Sequence, residues 1–477
     1  MLFERSICDR KLEMDEPLDA EALANEVANG NFADARLNER LRQVVGKLAT
    51  NPQLSLPRVF DSAGLEATYR LLSNVRVMPI DILAPHIQAT SARAAGSDFL
   101  IVHDTTDFSF RKDGARQGLG RLKSVVGGKQ GFFLHASLAV AADGSRRPLG
   151  VATIKTWVRG PAPSGIEYQR WEEQCREASA NLDGHQHAIH VMDREADDYQ
   201  MFDALMRDGT RFVARALADR IVVAAEGLDK LRATVRRMPA VAEREVLLRR
   251  RRSKNNKLGD KIHPPRLQRM AKLSYAATSV TLRRPLSDRK HDTSPPPSLT
   301  INVVHVWEPE PPEGHEPVEW FLYTTEPIET AEQQLAIVDH YRARWVIEEY
   351  FFALKTGCSF EKRQLEDYEG LVNLLAVFAP IAYQALLIRS EARRAPDEDG
   401  HNLLPAEQLE VLRVMGRLKL SEKPTNREIY LAVAALGGHI KYSGDPGWRT
   451  LSFGYQQLTT LTAGWMAAKL QLQRDQR

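Results

Sequence analysis

Along residues 32–49 the apolar positions recur at helical spacing. Leu37, Leu41, Val44, Val45 and Leu48 gather on one side, while Arg36, Arg40 and Lys47 fall within about 40° of one another. The segment FADARLNERLRQVVGKLA therefore predicts a basic amphipathic helix with Asp34 as its N-cap. A second helix, Ser62 to Ser73, is expected to carry Arg70 after a break at Pro57 and Gly64. From Asp98 the period shortens to that of strands. Phe99 to Val102 is a continuous apolar run ending at His103 and Asp104, with a turn-like TTDFS after it. Phe132 to Val140 and Leu149 to Ile154 are further strands, and Ala188 to Met192 is a buried strand ending in Asp193, with a helix expected over Arg194 to Met206.

From Arg211 to Thr325 the pattern becomes polar and strand-rich, unlike the α/β stretch before it. It contains the basic run Arg249, Arg250, Arg251, Arg252, Lys254 and Lys257, then Pro264, Pro265 and the loop Thr293 to Pro297, and reads as an inserted β-rich subdomain. Glu319 to Thr325, EWFLYTT, closes it as a strand, and Thr330 opens a long helix. The longest apolar run, Leu371 to Ile388, is interrupted by Asn373, Pro380 and Gln384, and is expected as a buried helix pair rather than a membrane span. From Leu365 onward the chain is mostly helical, with a Gly-rich turn at Gly437 to Trp448.

Within the long helix the stretch YRARWVIEEYFFALK has separable faces. At about 100° per residue, Tyr341, Arg344, Glu348 and Lys355 form one narrow polar stripe roughly 21 Å long. Val346, Ile347, Tyr350, Phe351 and Leu354 lie opposite, facing a core, while Trp345 and Phe352 flank the stripe where an exposed face ordinarily carries small or charged residues. A solvated face laced with i,i+4 charge pairs has the same pattern. A phenol, a guanidinium, a carboxylate and an ammonium in line nevertheless suit an extended polyanion better than a small metabolite.

Composition narrows the field. A chain of 477 residues exceeds one ordinary core, and its 43% hydrophobic content is that of a globular protein. The net charge is only +3 although Lys and Arg total 65, so a polyanion site must be local. Cys8, Cys175 and Cys358 are far apart and unpaired in spacing, which argues for reduced thiols in the cytoplasm and against a zinc module. No basic, apolar and small-residue succession opens the sequence, so a secretory leader is not expected.

Three carboxylates stand out. Asp104 and Asp193 end buried strands, where an acidic group is costly unless paired or bound to a cation, and Glu348 lies on the helical stripe. A capping role is the alternative for Asp193, and Glu195 and Asp197 beside it are further acidic candidates. Phosphodiester cleavage needs one oxygen activated and another stabilised in line, which two divalent ions about 3.5–4 Å apart can do, and hard carboxylates suit Mg²⁺ or Mn²⁺.

The motifs HDTT around Asp104, DREAD at Asp193 to Asp197, and Y-x2-R-x3-E-x6-K at Tyr341, Arg344, Glu348 and Lys355 resemble those of bacterial DDE transposases of the insertion-sequence-four family. The resemblance runs from about Phe32 into the C-terminal region. It implies an α/β fold in which a ribonuclease-H-like core, a mixed sheet with flanking helices, is interrupted by a β-rich insertion and bracketed by helical domains. The implied layout is 1–75 for transposon-end binding, 76–210 and 326–372 for the core, 211–325 for the insertion and 373–477 for dimerisation. It further implies Asp104, Asp193 and Glu348 as catalytic ligands of two Mg²⁺ or Mn²⁺ ions. Tyr341, Arg344 and Lys355 would contact end phosphates, Trp320 would stack on a flipped base with Trp345 near it, and Arg215, Arg36 and Arg40 would be further DNA contacts. Phe352 departs from the pattern of a close relative in that family, which has a lysine there. The implied partners are double-stranded DNA and a second copy of the chain, with no membrane and no organic cofactor.

The activity so implied is cut-and-paste transposition through a hairpin intermediate. A metal-dependent structure-specific nuclease on the same core and a non-catalytic DNA-binding derivative are the alternatives. A glycosidase with paired carboxylates is more distant, since it gives no reason for the basic stripe.

Overall fold

The computed structural model describes residues 20–28, 32–110, 115–122, 129–159, 167–224, 227–248, 265–285, 295–401, 403–440 and 444–475. Cys8, the basic run Arg249 to Lys257, Pro264, Thr293 and Ser294 lie outside them. The chain divides into two compact units. One comprises residues 87–107 and 120–349; the other comprises 1–86, 108–119 and 350–477.

The first unit is built on a twelve-stranded mixed sheet: β1 (Phe99–Phe110), β2 (Gly120–Arg121), β3 (Gln130–Ala141), β4 (Pro148–Trp157), β5 (Ala188–Met192), β6 (Arg211–Arg215), β7 (Ile221–Ala224), β8 (Gly227–Lys230), β9 (Ala242–Leu248), β10 (Arg269–Arg283), β11 (Ser298–Trp307) and β12 (Glu319–Thr324). The order is β2-β3-β1-β5-β6-β12-β11-β10-β7-β8, with β4 beside β3 and β9 beside β10. Strands β1, β5 and β6 run parallel. Their apolar runs, buried throughout in β5 and over Phe99–His103 in β1, are those of strands covered on both faces. The helices Glu167–Asn181 and Tyr199–Arg207 pack on them, the latter with Phe202 stacked on Phe212 at 5.4 Å and tilted on Tyr323 at 5.1 Å.

Two expectations on these strands are corrected. TTDFS is not a turn: β1 runs on through it to Phe110, because alternate residues such as Phe108 still find an apolar core. The helix expected over Arg194 to Met206 is a single 3₁₀ turn, Arg194–Ala196, followed by the helix Tyr199–Arg207, because three aspartates each take a backbone partner of their own. The polar region after Arg211 continues the same sheet: β12 pairs antiparallel with β6, and β11 and β10 follow antiparallel in turn. Its two ends are joined by Arg211, whose guanidinium donates to both oxygens of Glu326 at 2.9 and 2.6 Å.

The second unit is helical. The helix Ala35–Thr50 starts at Asp34, which accepts from the Arg36 N–H at 2.9 Å, and buries Leu41, Val44, Val45 and Leu48. Helix Ser62–Leu72 is capped by Asp61, and Gly64 sits in its first turn rather than breaking it. The expected helix pair is one helix of 27 residues, Tyr368–Arg394, continuous through Pro380. It is long and apolar enough to cross a membrane, but its side chains are mostly buried within the protein. Helices Asn426–Leu436 and Trp448–Asp475 meet at Gly437 and Gly454, where backbone approaches backbone: a Cβ on Gly454 would lie 2.0 Å from the Val433 carbonyl oxygen. Gly454→Ala should therefore cost about 1–3 kcal/mol and lower the melting temperature of the full chain. Gly464→Ala, where nothing lies within 4 Å of the new Cβ, serves as the control. Equal melting of the two variants would contradict this packing.

Candidate active site

Strands β1 and β5 pair in parallel from Phe99↔Ala188 to Val102↔Val191, a constant offset of 188 − 99 = 89 residues. The separation of the two aspartates is the same, 193 − 104 = 89. Continuing the register two residues beyond the last pair sets Asp104 opposite Asp193, on neighbouring strands about 4.8 Å apart. Asp104 accepts from the Thr105 N–H at 2.8 Å, and Asp193 from the Glu195 N–H at 2.7 Å as the cap of the 3₁₀ turn. The capping role foreseen for Asp193 is thus real and coexists with its place at the strand end.

The helix from Thr330 begins with a capping box between Thr330 and Gln333 and runs Ala331–Ala343. Arg344 is its C-cap, the helix Trp345–Phe352 follows, and a five-residue π turn, Ala353–Gly357, succeeds it. One unbroken wheel from Tyr341 to Lys355 was expected, and these two junctions break it. Arg344 donates to Asp104 Oδ2 at 2.7 Å and to Glu348 Oε1 at 3.0 Å, with only 12% of its side chain exposed. One guanidinium thus holds two acidic residues that lie 244 positions apart in sequence (348 − 104).

The electrostatics reflect this crowding. Burial pushes the Asp104 carboxyl up to about 7; Arg344 opposes the rise, while the charges of Asp193 and Glu348 add to it. Burial works against the charge on Arg344, but Asp104, Tyr341, Glu348 and Asp193 together hold its proton more tightly than usual. All three acidic residues therefore act on one neighbourhood.

The other residues picked from the sequence fall as follows. Trp320, on β12, is half-buried, with the Tyr341 ring edge-on at 5.3 Å and the Arg215 guanidinium over its ring at 5.7 Å. Tyr341 itself is buried. Trp345 and Phe352 are large and wet, 60% and 55% exposed, whereas Ile347, Tyr350, Phe351 and Leu354 are buried as expected and Val346 is half-buried. Lys355 belongs to the other unit, in the π turn, with its Nζ 5.6 Å from the Phe108 ring centre. In that unit also, Arg36 is exposed and paired with its own cap, Asp34, while Arg40 is half-buried.

Asp197, an acidic candidate in the sequence, has a structural task. Its fully buried carboxylate accepts from the N–H groups of Leu217 and Ala218 at 2.7 and 2.8 Å and from Arg220 at 2.7 Å. Asp198 in turn caps the next helix through the Gln200 and Met201 N–H groups.

Behind Asp104 runs a buried chain that the sequence reading passed over. Ser137 on β3 bonds His103 Nδ1 at 2.9 Å, His103 Nε2 bonds His190 Nδ1 at 2.8 Å, and His190 Nε2 bonds Ser179 at 3.0 Å. Burial pushes His190 down to about 3, and burial with the neighbouring imidazoles pushes His103 well down, so both are neutral. The signal was there: each histidine is at an inward position of a carboxylate-bearing strand. Cys175 Sγ lies 3.9 Å from His103 Nε2, so these three residues also group soft ligand atoms, but the imidazole nitrogens are already engaged with each other and with serines.

Comparison with protein families matches two models on this chain. Residues 19–77 match a transposase DNA-binding domain, and residues 161–379 match a transposase DDE domain. Asp193, Glu348 and Arg344 fall inside the second match, while Asp104 precedes it. A DNA-binding domain followed by that catalytic domain, with acidic residues gathered from a strand, a strand end and a helix, makes this chain a member of the DDE transposases, polynucleotidyl transferases with endonuclease activity.

Proposed function

We propose that this transposase moves its element by cut-and-paste, as in the insertion-sequence-four family, using Asp104, Asp193 and Glu348 as the ligands of two divalent ions. The observation that carries the reading is the Arg344 bridge: a cation already sits among these carboxylates in the form of a guanidinium. Three hard oxygen donors, one pushed up to about 7 by burial and like charge, form a set that Mg²⁺ or Mn²⁺ fits. When bound, such a pair activates water and stabilises the leaving oxygen of an in-line displacement.

The chain's own residues orient and bind. Asp104, fixed by the Thr105 N–H, and Asp193, fixed by the Glu195 N–H, present oxygens from two rigid strands. Arg344, released from Asp104, pairs with an end phosphate. Water nicks one strand at the element's end and frees a 3′-hydroxyl. That hydroxyl attacks the opposite strand, breaks its bond to the flank and closes a hairpin. A second water reopens the hairpin, and the 3′-hydroxyl then attacks target DNA. Trp320, backed by Tyr341 and Arg215, receives the base unstacked in the hairpin, with Trp345 near it. Lys355, Arg36 and Arg40 add phosphate contacts, with residues 1–75 reading the ends. Residues 76–210 and 326–372 form a ribonuclease-H-like core around the insertion 211–325, and residues 373–477 join two copies in the synapse. The reaction takes place on bacterial DNA in the cytoplasm.

Asp104→Asn, Asp193→Asn and Glu348→Gln should each abolish Mg²⁺-dependent release of a fragment flanked by the element's ends, while end binding in a gel-shift assay persists. Normal cutting by any one removes that residue from the ligand set, and cutting without joining of a pre-cut end favours a plain nuclease. Trp320→Ala should slow hairpin closure by about tenfold or more and first nicking much less; equal slowing of both steps counts against stacking.

The charge arrangement carries a pH signature as well. The folded state holds the Asp104 proton more tightly than the unfolded chain, which favours folding fully below about pH 4. That advantage is lost as the pH rises through about 7. In chelator, Arg344→Ala should cost about 3 kcal/mol at pH 8, where Asp104 is ionised, and distinctly less at pH 5. Thermal unfolding at the two pH values checks this, and an equal loss would mean that the bridge is not what balances the carboxylates.

A further inference from the structure

Helix Ser62–Leu72 ends in a turn, residues 73–77, that is braced more firmly than an exposed connection requires. Asn74 Oδ1 accepts from the Arg76 N–H at 3.0 Å, and the Asn74 carbonyl from the Val77 N–H at 2.9 Å. From beneath, the side-chain amide of Asn373, buried in helix Tyr368–Arg394, donates to the carbonyls of Leu72 at 2.8 Å and Val77 at 3.1 Å. Both ends of the turn are thereby pinned, and its tip is presented in one conformation.

That tip carries Val75, 91% exposed, and the exposed Arg76, with Met78 and Ile80 about half-exposed just beyond. Single exposed apolar residues are ordinary. Three within six positions, on a backbone held rigid from the core, form a patch that something is meant to cover. An arginine-bearing helix stands near it. Asp34, the cap of helix Ala35–Thr50, is held below the usual carboxylate range by its hydrogen bonds from Arg36 and more weakly by the charge of Arg76, so the turn lies beside the start of the helix bearing Arg36 and Arg40. The match to a transposase DNA-binding domain ends at Val77, the last residue of the turn.

We propose that the Asn373-braced turn is a second duplex-reading element of the DNA-binding domain, with Arg76 on a backbone phosphate and Val75 against a thymine methyl at the neighbouring step. The inference rests on the end-binding role proposed above for residues 1–75 and extends it to specific side chains. Apolar contact with a thymine methyl is one of the few ways a branched hydrocarbon can discriminate base pairs, and a neighbouring arginine fixes the register in which it does so. A protein partner would be served by the same valine, but the match to a DNA-binding domain and the charge complement that Arg76 offers a phosphate favour DNA.

The test uses the full chain and fluorescence anisotropy with two duplexes, the element's own end and a scrambled sequence, over a salt series. Arg76→Ala should weaken both duplexes alike and reduce the slope of log affinity against log salt by about one. Val75→Ala should weaken the end duplex by about tenfold and leave the scrambled one unchanged. Replacing thymines one at a time by uracil should reveal one position that matters to the wild type and not to Val75→Ala. Both side chains are exposed, and matching melting temperatures verify that the variants fold. If the wild type prefers its end and neither variant differs from it, the turn is not at the interface and the proposal falls, with the end-binding role intact. Altered sedimentation of the variants without DNA, at unchanged affinity, also overturns it in favour of a protein contact. A wild type without preference for its own end overturns the end-binding role and this inference together.

Discussion

Like charges cannot be gathered in a partly buried place without an answering charge, and in this protein the answer is Arg344. Two of its nitrogens hold carboxylates from the first strand of the sheet and from the second helix after the last strand. Without it, Asp104, already pushed up to about 7, would have to take a proton to be tolerated. The rest of the first unit can be read as the means of delivering those groups to that one guanidinium. The parallel pair β1–β5 supplies two aspartates in register, the His103–His190 hydrogen bond ties the same two strands together in the interior, and the continued sheet carries the chain round to the helix junction that contributes Arg344 and, four residues on, Glu348.

Much of this was legible in the sequence, where hydrophobic pattern and end signals coincide. Strand β5 was read to the residue, because five apolar-compatible positions stand between a polar loop and an acidic cap. The start of a helix at Thr330 was read as well, and Thr330 is its N-cap. What failed did so where tertiary context overrides local pattern. Thr105, Thr106 and Ser109 look like turn residues, yet they prolong β1 because neighbouring Phe108 and Phe110 are buried. Asn373 and Pro380 look like interruptions, yet helix Tyr368–Arg394 absorbs both, and Asn373 finds carbonyl acceptors beside it. The helical wheel assumed a constant 100° step, which a C-cap at Arg344 and a π turn at Ala353–Gly357 do not keep.

The acidic motif DREAD and the aspartate after it divide three different tasks among single residues. Asp193 stands at the strand end and caps a 3₁₀ turn; Asp197 is consumed by two backbone N–H groups and Arg220; Asp198 caps a helix. Periodicity cannot assign these roles, because all three residues offer the same functional group within six positions. Only burial and the direction of the neighbouring N–H groups tell them apart.

Asp197 has a consequence for how such genes decay. On the roles proposed above, a copy that has lost Asp193 would still fold and occupy its DNA, and so would interfere with intact copies. A copy that has lost Asp197 would leave the buried Arg220 without its counter-charge and two N–H groups without an acceptor, and its product would be exposed to proteolysis. Two lesions four codons apart in one motif would thus differ in genetic character, the change at Asp193 dominant and the change at Asp197 recessive.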